Sequence, residues 1–519
     1  MRKKLGWMVM VFVIWNSALA QVPDPTVTRL FRNSYKVIDA MRLPGGIYLD
    51  ALALGADDKP AALAANGVGL VSLCIADAMY KKTGDADAWD ANAETKALQT
   101  INEWIRLKNT PGAVNKNGLF YRYFNPEDGS WVWVTEHSTI DNAILAAGFL
   151  FCRNYFNWNA EIVSKTKTLL NSMDFTAAIP TTSGNQMYMI LDDNGYGSAP
   201  TTPFNEYLVL AWFAKNTNSI YAGYNRAQTY WNNYFSDATK LPQYSYPSGN
   251  ATLSGGTGYA QPSFHVQFSF YYCHYFDNDP AYASFFANQA TADRSWWKSA
   301  TSQQTAWGCG AGEIPGGGYS ADAVNNNPNK IVSPHIMAGF SPVYPDVRTD
   351  LAELYANGTG AAVYKIPDTD IDFLWRYKFS NTGQRASYVQ AVDFSTMLYG
   401  LAALPEYLGP EFFKTYNDFN FDPSTSVTEL KNRDILDIYP NPTSGQASFR
   451  FSLTSAAHVS IGIFTTSGKL VKQVVDEELS MGGHSALLNT GDGLPAGVYF
   501  CRMLIDNQIS VTKKMIITN

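Results

Sequence analysis

A helix that is apolar on every side must be surrounded by protein, and Ala61–Lys82 (AALAANGVGLVSLCIADAMYKK) is apolar nearly all round until its basic end. The next stretch, Asn92–Lys108, instead keeps Leu98, Ile101, Trp104 and Ile105 on one stripe. The first reads as an inner helix and the second as an outer helix that covers it. The same pairing recurs in Ser138–Phe156 with Ala160–Met173, Phe204–Lys215 with Tyr221–Phe235, and Phe264–Phe276 with Ala281–Ser299. Few strand-like runs interrupt residues 30–415, so this part of the chain is mainly α. Repeated inner and outer helices make a toroid. An (α/α)6 barrel takes about six such pairs, and residues 27–416 have room for them.

The two ends are built differently. Arg2, Lys3 and Lys4, an apolar run from Trp7 to Trp15, and Ala18-Leu19-Ala20 before Gln21 predict a cleaved secretory leader over residues 1–20. No later segment approaches the roughly 20 uncharged apolar residues of a spanning helix, so no transmembrane segment is expected. Residues 21–421 then form the helical domain, and 422–432, headed by Asp422-Pro-Ser-Thr-Ser-Val, a linker. In residues 433–519, Phe449, Phe451 and Leu453 alternate with Ser448, Arg450 and Ser452. Val459, Ile461 and Ile463 repeat that pattern, and Val498–Leu504 adds a strand, which predicts a small C-terminal β-sandwich.

Composition narrows the partners. A net charge of −7, with no lysine or arginine cluster, argues against nucleic acid. Five cysteines in 519 residues are too few and too scattered for a disulfide framework, and Cys74 and Cys152 read as small core hydrophobes. Aromatic residues reach 14%, with 31 tyrosines and 13 tryptophans, more than a helical core requires. Such rings stack on sugar faces while their polar tips bond hydroxyls; the plainer alternative is a large aromatic core.

One segment, Trp131–Phe156 (WVWVTEHSTIDNAILAAGFLFCRNYF), combines both themes. Ser138 stands at an N-cap with Asp141 three residues on, and Glu136 lies just before that start. Two acids, a histidine and two tryptophans would share a rim at the positive end of a helix dipole, a mixture that suits a sugar site.

Two resemblances sharpen this reading. Tyr439-Pro-Asn-Pro-Thr-Ser-Gly445, Gly493-Leu-Pro-Ala-Gly-Val-Tyr499 and Lys513-Lys-Met-Ile-Ile-Thr-Asn519 resemble the C-terminal sorting domain of type IX secretion cargo. That implies passage through the periplasm and across an outer membrane, removal of this domain, and either release or attachment at the cell surface. Residues of about 60–410 resemble the glycoamylase-like and endo-β-1,2-glucanase family of glycoside hydrolases. The matching blocks are Ala65–Ala76, Gly118–Phe124 followed by Glu136–Asp141, Phe204-Asn-Glu206, Phe264-His265 with Phe268-Ser-Phe, Gly318-Tyr319-Ser-Ala, Ile331–His335, Phe340–Pro345 and Ala391-Val-Asp393-Phe. The family's Ser-Pro-Thr-His tract is replaced by Ala214-Lys-Asn-Thr-Asn-Ser. The aspartate of the loop around Trp307–Glu313 is missing, with Glu313 nearby to serve.

Glycoside hydrolysis needs a carboxylic acid to protonate the leaving oxygen and a carboxylate to activate water or attack. The family match favours Glu206 as acid and Asp393 as base, with an inverting outcome, and Asp141 and Glu136 positioning hydroxyls or water. Read without it, each acid has a plain structural role. Glu206 follows Thr202 and Pro203, a cap and first helical residue, Asp393 heads a helix, and Asp141 completes its box with Ser138. Trp131, Trp133 and Trp307 are candidates to stack on sugar rings, with at least one of them expected to be ordinary packing, and His265, Gln267 and Tyr319 are candidates to contact hydroxyls, His265 having a satisfied core histidine as its plainer reading. Asp368-Thr-Asp370-Ile-Asp372 lacks the glycine and glutamate of a calcium loop and reads as a solvated loop. No phosphate loop, paired CxxC or His-Glu-x-x-His tract is present, so no cofactor or metal is expected. The leading expectation is a secreted, monomeric glucanase acting on an oligo- or polysaccharide. A non-catalytic glycan-binding protein is the alternative, and a uronate-directed lyase or hydrolase, supported only by Arg122, ranks behind both.

Overall fold

The computed structural model describes residues 23–55, 59–182, 184–245, 251–253, 260–357, 361–421, 436–453, 457–465, 469–480, 482–491, 493–505 and 509–518. The leader expected at 1–20 and the linker expected at 422–432 lie outside them. The chain divides into two compact units between Asp418 and Phe419.

The first unit is mainly helical, with short two- and three-stranded sheets between the helices. In chain order its helices are α1 (Pro25–Asp39), α2 (Leu63–Thr83), α3 (Ala93–Lys108), α4 (Thr139–Tyr155), α5 (Ala160–Asn171), α6 (Leu208–Lys215), α7 (Tyr224–Tyr234), α8 (Phe264–Tyr272), α9 (His274–Asn278), α10 (Pro280–Thr301), α11 (Pro334–Gly339), α12 (Val347–Asn357), α13 (Ala391–Ala402) and α14 (Glu411–Tyr416). Helix α2 packs on α4, α4 on α6, α6 on α8, α8 on α11, α11 on α13, and α13 returns to α2. These six are buried almost throughout. Each carries an outer partner: α3 on α2, α5 on α4, α7 on α6, α10 on α8, α12 on α11, and α1, the first helix among the described residues, on α13. Asp372 ties α1 to α12, accepting two bonds from Arg29, at 2.9 and 2.7 Å, and another from Asn33, both on α1, and one from Tyr355 on α12. The solvated-loop reading therefore fits Asp370 but not Asp372, which is buried.

Three expectations change. The stretch Phe264–Phe276 is two helices, because Cys273 is extended (φ −137°, ψ 105°) and breaks the ladder. Helix α6 starts at Leu208, so Thr202 and Pro203 do not cap it; Asn205 accepts from the Tyr207 amide at 2.9 Å and shapes a turn before the helix. Helix α2 is long and apolar enough to cross a membrane, which the sequence reading did not allow for, yet it is packed inside the unit among α1, α3, α4 and α13.

Among the described residues the second unit has seven strands: β1 (Leu436–Tyr439), β2 (Gln446–Leu453), β3 (Ala457–Thr465), β4 (Leu470–Leu479), β5 (Gly482–Asn489), β6 (Gly497–Ile505) and β7 (Ile509–Ile517). Antiparallel pairing gives one sheet in the order β1-β2-β5 and another in the order β4-β3-β6-β7. Phe449, Phe451, Val459, Ile461, Ile463, Cys501, Met503 and Met515 from both sheets share one apolar core. The period-two pattern decides which side of each strand faces it.

Candidate active site

Groups at the amino ends of α2, α4, α6, α8 and α13 converge on one mouth. Helix α2 is joined to it where the Leu63 amide donates to the Arg122 carbonyl at 3.1 Å, and the Arg122 amide donates in turn to the Glu136 carbonyl at 2.8 Å. Ser138 caps α4, accepting from the Asp141 amide at 3.3 Å, and its hydroxyl donates to the Asp141 carboxylate. Strand Ala51–Ala53 pairs with Tyr388–Gln390, which brings the Asp50 carbonyl to the Ala391 amide at 2.9 Å, so Asp50 caps α13 through its backbone.

Five carboxylates and two arginines converge here. The Arg122 guanidinium lies 3.5 Å from Glu136, 3.6 Å from Asp141 and 4.9 Å from the centroid of the Tyr123 ring. Glu206 occupies the turn before α6, with 31% of its side chain exposed, and lies 3.7 Å from His265 Nε2. Burial lifts its carboxyl to about 7; the negative charges of Asp141 and Asp393 reinforce the rise and Arg122 opposes it. Asp393, in the first turn of α13 and 4% exposed, is also lifted to about 7 by burial, with Arg376 opposing and Asp50 reinforcing. Asp50 is raised by burial to about 6. His265 is buried and held down to about 3, so it stays neutral wherever Glu206 titrates, and its contact with that carboxyl is not an ion pair.

A hairpin, Ala311–Glu313 with Tyr319–Ala321, roofs Asp393. Its turn holds Gly316, Gly317 and Gly318 at φ of 95°, 112° and 90°, a left-handed run that a side chain would strain. From it the Tyr319 hydroxyl donates to both Asp393 oxygens, at 3.3 and 3.2 Å. Beneath the hairpin the fully buried Arg376 donates to the carbonyls of Gly310 (3.2 Å) and Ser320 (3.3 Å), to the Ser320 hydroxyl (3.0 Å), and to Asp322.

Of the residues singled out in the sequence, the structure brings Glu206, Asp393, Asp141, Glu136, His265 and Tyr319 together. Trp131 and Trp133 are 60% and 53% exposed on the loop leading into α4, and the Trp133 ring lies 5.2 Å from Tyr123. Three expectations are corrected. Trp307 is 1% exposed, bonds Asp350 through its indole nitrogen at 2.9 Å and stacks on Phe340, so its ring is packing and meets no sugar. Gln267 is buried between α8 and α11, donating to the Ile336 carbonyl at 2.9 Å. Glu313 turns inward to the Ser387 and Tyr388 amides at 2.6 and 2.8 Å and does not replace the missing aspartate. Asp50 and Arg376 were missed. The available signal was one charge inside an apolar run, Ile47-Tyr-Leu-Asp-Ala-Leu-Ala53 and Phe373-Leu-Trp-Arg-Tyr377.

Two carboxyl groups that titrate near neutrality in one half-open mouth can exchange protons with a neutral, hydroxyl-rich ligand. Among the described residues no group of three or more histidine, cysteine, aspartate or glutamate side chains is placed to hold a metal ion.

Known structures share the helical architecture. An endo-β-1,2-glucanase from Chitinophaga pinensis, solved with sophorotriose and glucose, is 14% identical over 75% of this chain and 94% of its own, with a TM-score of 0.61. A candidate glucoamylase from Bacteroides uniformis is 14% identical over 76% of this chain and 97% of its own, also at 0.61. An endo-β-1,2-glucanase from Talaromyces funiculosus, solved with sophorose, is 11% identical over 76% of this chain and 86% of its own, at 0.57. No curated protein matches the chain. At the other end, residues 437–518 match the profile of a secretion system C-terminal sorting domain. The chain therefore joins a helical unit with the fold of these glucanases and glucoamylase-like proteins to a C-terminal secretion sorting domain.

Proposed function

We propose that this chain is an exported glycoside hydrolase that cleaves a neutral β-glucan, with β-1,2-linked glucan the first candidate substrate. The observation that carries the reading is the pair Glu206 and Asp393 in the same mouth, each lifted to about 7 chiefly by burial, with Asp141 and Asp393 reinforcing the rise at Glu206 and Asp50 reinforcing it at Asp393. A carboxyl near neutrality is available both as a proton donor and as a proton acceptor. Glu206 protonates the departing glucosidic oxygen. Asp393, steadied by Tyr319, activates the incoming water, and the anomeric configuration inverts. Asp141 and Glu136, fixed by Arg122, accept bonds from sugar hydroxyls, and Trp131 and Trp133 offer ring faces at the rim.

The charge balance favours a neutral substrate. Arg122 is engaged by Glu136 and Asp141, and Arg376 by Asp322 and backbone carbonyls, so a uronate carboxylate would meet five acids with both cations already in use. This weighs against the uronate-directed readings. In the same proposal the closed ring of helix pairs is an (α/α)6 toroid and the seven-stranded unit is a β-sandwich. The boundaries are 1–20 for the leader, 21–421 for the catalytic domain, 422–432 for the linker and 433–519 for the export tag. The type IX machinery carries the monomeric protein through the periplasm to the cell surface or the medium.

The test is reducing-sugar release from a panel of α- and β-linked glucans by the chain from Gln21 and by its Glu206→Gln variant, with proton NMR of the first anomer released. Cleavage of one β-glucan that disappears in the variant supports the reading. Binding without cleavage by the unaltered chain would sink it in favour of a glycan-binding protein.

A further inference from the structure

We propose that Cys74 of α2 and Cys152 of α4 are joined by a disulfide in the exported protein, a bond that clamps two neighbouring inner helices. The two sulfurs lie 3.5 Å apart, both fully buried, and the Cys152 thiol also donates toward the Leu70 carbonyl of α2 at 3.5 Å. Sulfur atoms in a disulfide are about 2.05 Å apart and need closely spaced backbones, so the question is whether α2 and α4 come near enough. They do, for a reason written in the sequence. A Cβ placed on Gly148 would stand 2.6 Å from the Gly67 carbonyl oxygen, and one on Gly67 would stand 2.3 Å from the Ile144 carbonyl oxygen. Only glycine allows this approach. Gly67 meets Ile144 and Leu145, and two turns further along Cys74 meets Cys152 at nearly the same offset, so the helices run parallel and in register through both contacts.

The compartment supplies the chemistry. The inference rests on the export half of the proposed function, because thiols persist as thiols in the cytoplasm and are oxidised outside it. A thiolate of one cysteine attacks a protein or glutathione disulfide and expels one thiol. The second cysteine then displaces the mixed disulfide and expels the other, so two protons and two electrons pass to the acceptor, which leaves as two thiols. Burial raises the Cys74 thiol well above its ordinary range, so exchange belongs to the folding chain, before α2 and α4 are enclosed, and the finished bond is then shielded from reductants. All five cysteines, Cys74 and Cys152 with Cys273, Cys309 and Cys501, are buried free thiols in the structure. The clamp bears on the mouth because α4 begins at the cap that holds Asp141, and α2 begins at Leu63, whose amide donates to the Arg122 carbonyl.

The test uses the full chain, refolded with mixed reduced and oxidised glutathione. Thiols are counted with Ellman's reagent in denaturant, and peptides are mapped without reduction. The expected result is three titrating thiols of the five cysteines, a linked peptide containing Cys74 and Cys152, and a thermal transition that falls on reduction. The Cys152→Ser variant should titrate four thiols and lose that sensitivity to reductant. Five free thiols, or a linked peptide containing Cys273, Cys309 or Cys501, would overturn the proposal even if Cys152→Ser failed to fold. Refolding in glutathione does not depend on export. A protein that forms the bond in glutathione but is recovered reduced from the culture medium would therefore separate correct geometry from a wrong reading of the compartment.

Discussion

Acids sit at both ends of the inner helices, and the two ends treat them in opposite ways. Near the carboxyl ends Asp77 is buried in α2, but it accepts from the Tyr155 hydroxyl at 2.6 Å and from Lys81 at 2.7 Å. Asp277 is likewise buried and accepts from Asn417 at 3.0 Å. Asp77 is a satisfied group, whereas Asp277 keeps one buried oxygen without a hydrogen bond and burial raises its carboxyl well above the ordinary range; both tie helices together, and neither faces an open mouth. At the amino ends Glu206 and Asp393 lie among other acids, and the cations nearby are divided between several carboxylates or spent on backbone carbonyls. A buried acid is thus no sign of function by itself. A buried acid denied a full complement of partners, in an open mouth, is one.

The largest consequence belongs to Glu206. Glu206→Gln keeps the shape and removes the proton, so cleavage of the glucan is expected to fall about a thousandfold with the helical circular dichroism unchanged. Retention of most activity would erase the distinction between the two ends, since Glu206 would then be as structural as Asp77.

Asp393→Asn is expected to lose activity on a similar scale and to gain stability. The folded protein holds the Asp393 proton more tightly than the unfolded chain does, with its pKa raised from 3.8 to about 7. Its favourable contribution is therefore present below about pH 4 and is lost as pH rises through about 7, which leaves a cost of about 4 kcal/mol at neutral pH that the amide removes. Urea unfolding at pH 8 and at pH 5 checks the sign: the variant should gain more at pH 8. Asp77→Ala should do the reverse, losing about 2 kcal/mol by leaving the Tyr155 hydroxyl unpaired while kcat is unchanged.

Much of this contrast could be read in the sequence, and the reasons differ by element. The inner helices were legible because an all-round apolar face has no other use, and the Ser138–Asp141 cap because its spacing is chemical. The β-strands of the second unit announced themselves by alternation. The start of α6 was not legible: the Thr202-Pro203 signal is locally sound, but Asn205 takes the amide that sets the turn, and tertiary packing decides between such alternatives. Trp307 and Gln267 misled because a ring or an amide has the same identity in a core as in a cleft, and only burial separates the two. Asp50 could be flagged as a lone charge in an apolar run but not placed, because its position depends on the pairing of strand Ala51–Ala53 with Tyr388–Gln390, more than 300 residues away.

Asp50 also gives a way to move the mouth's titration without touching the reacting groups. Activity needs Asp393 ionised and Glu206 protonated, so the rate should rise with pH as the base ionises, fall as the acid deprotonates, and form a narrow maximum near pH 7. Asp50 contributes to holding the Asp393 carboxyl up. Asp50→Asn is therefore expected to shift the acidic limb of kcat/KM to lower pH and broaden the profile from that side. An unmoved limb with lowered activity would make Asp50 a cap of α13 and nothing more.

The smallest effect expected is at the rim. Trp133 is held at φ 59°, unusual for a bulky residue, with its ring 5.2 Å from Tyr123 and 53% exposed, so the backbone accepts some strain to present an indole face outward. If that face stacks on a glucose unit, Trp133→Ala should raise KM about five- to tenfold, roughly 1 kcal/mol, and leave kcat within a factor of two. Trp131→Ala provides the comparison from the same loop. A double variant that adds nothing to Trp133→Ala would place both rings on one sugar, and additive losses would place them on two. A Trp133→Ala protein with unchanged KM and a higher melting temperature would mean that the strain serves the loop itself. The mouth would then recognise substrate through its carboxylates alone.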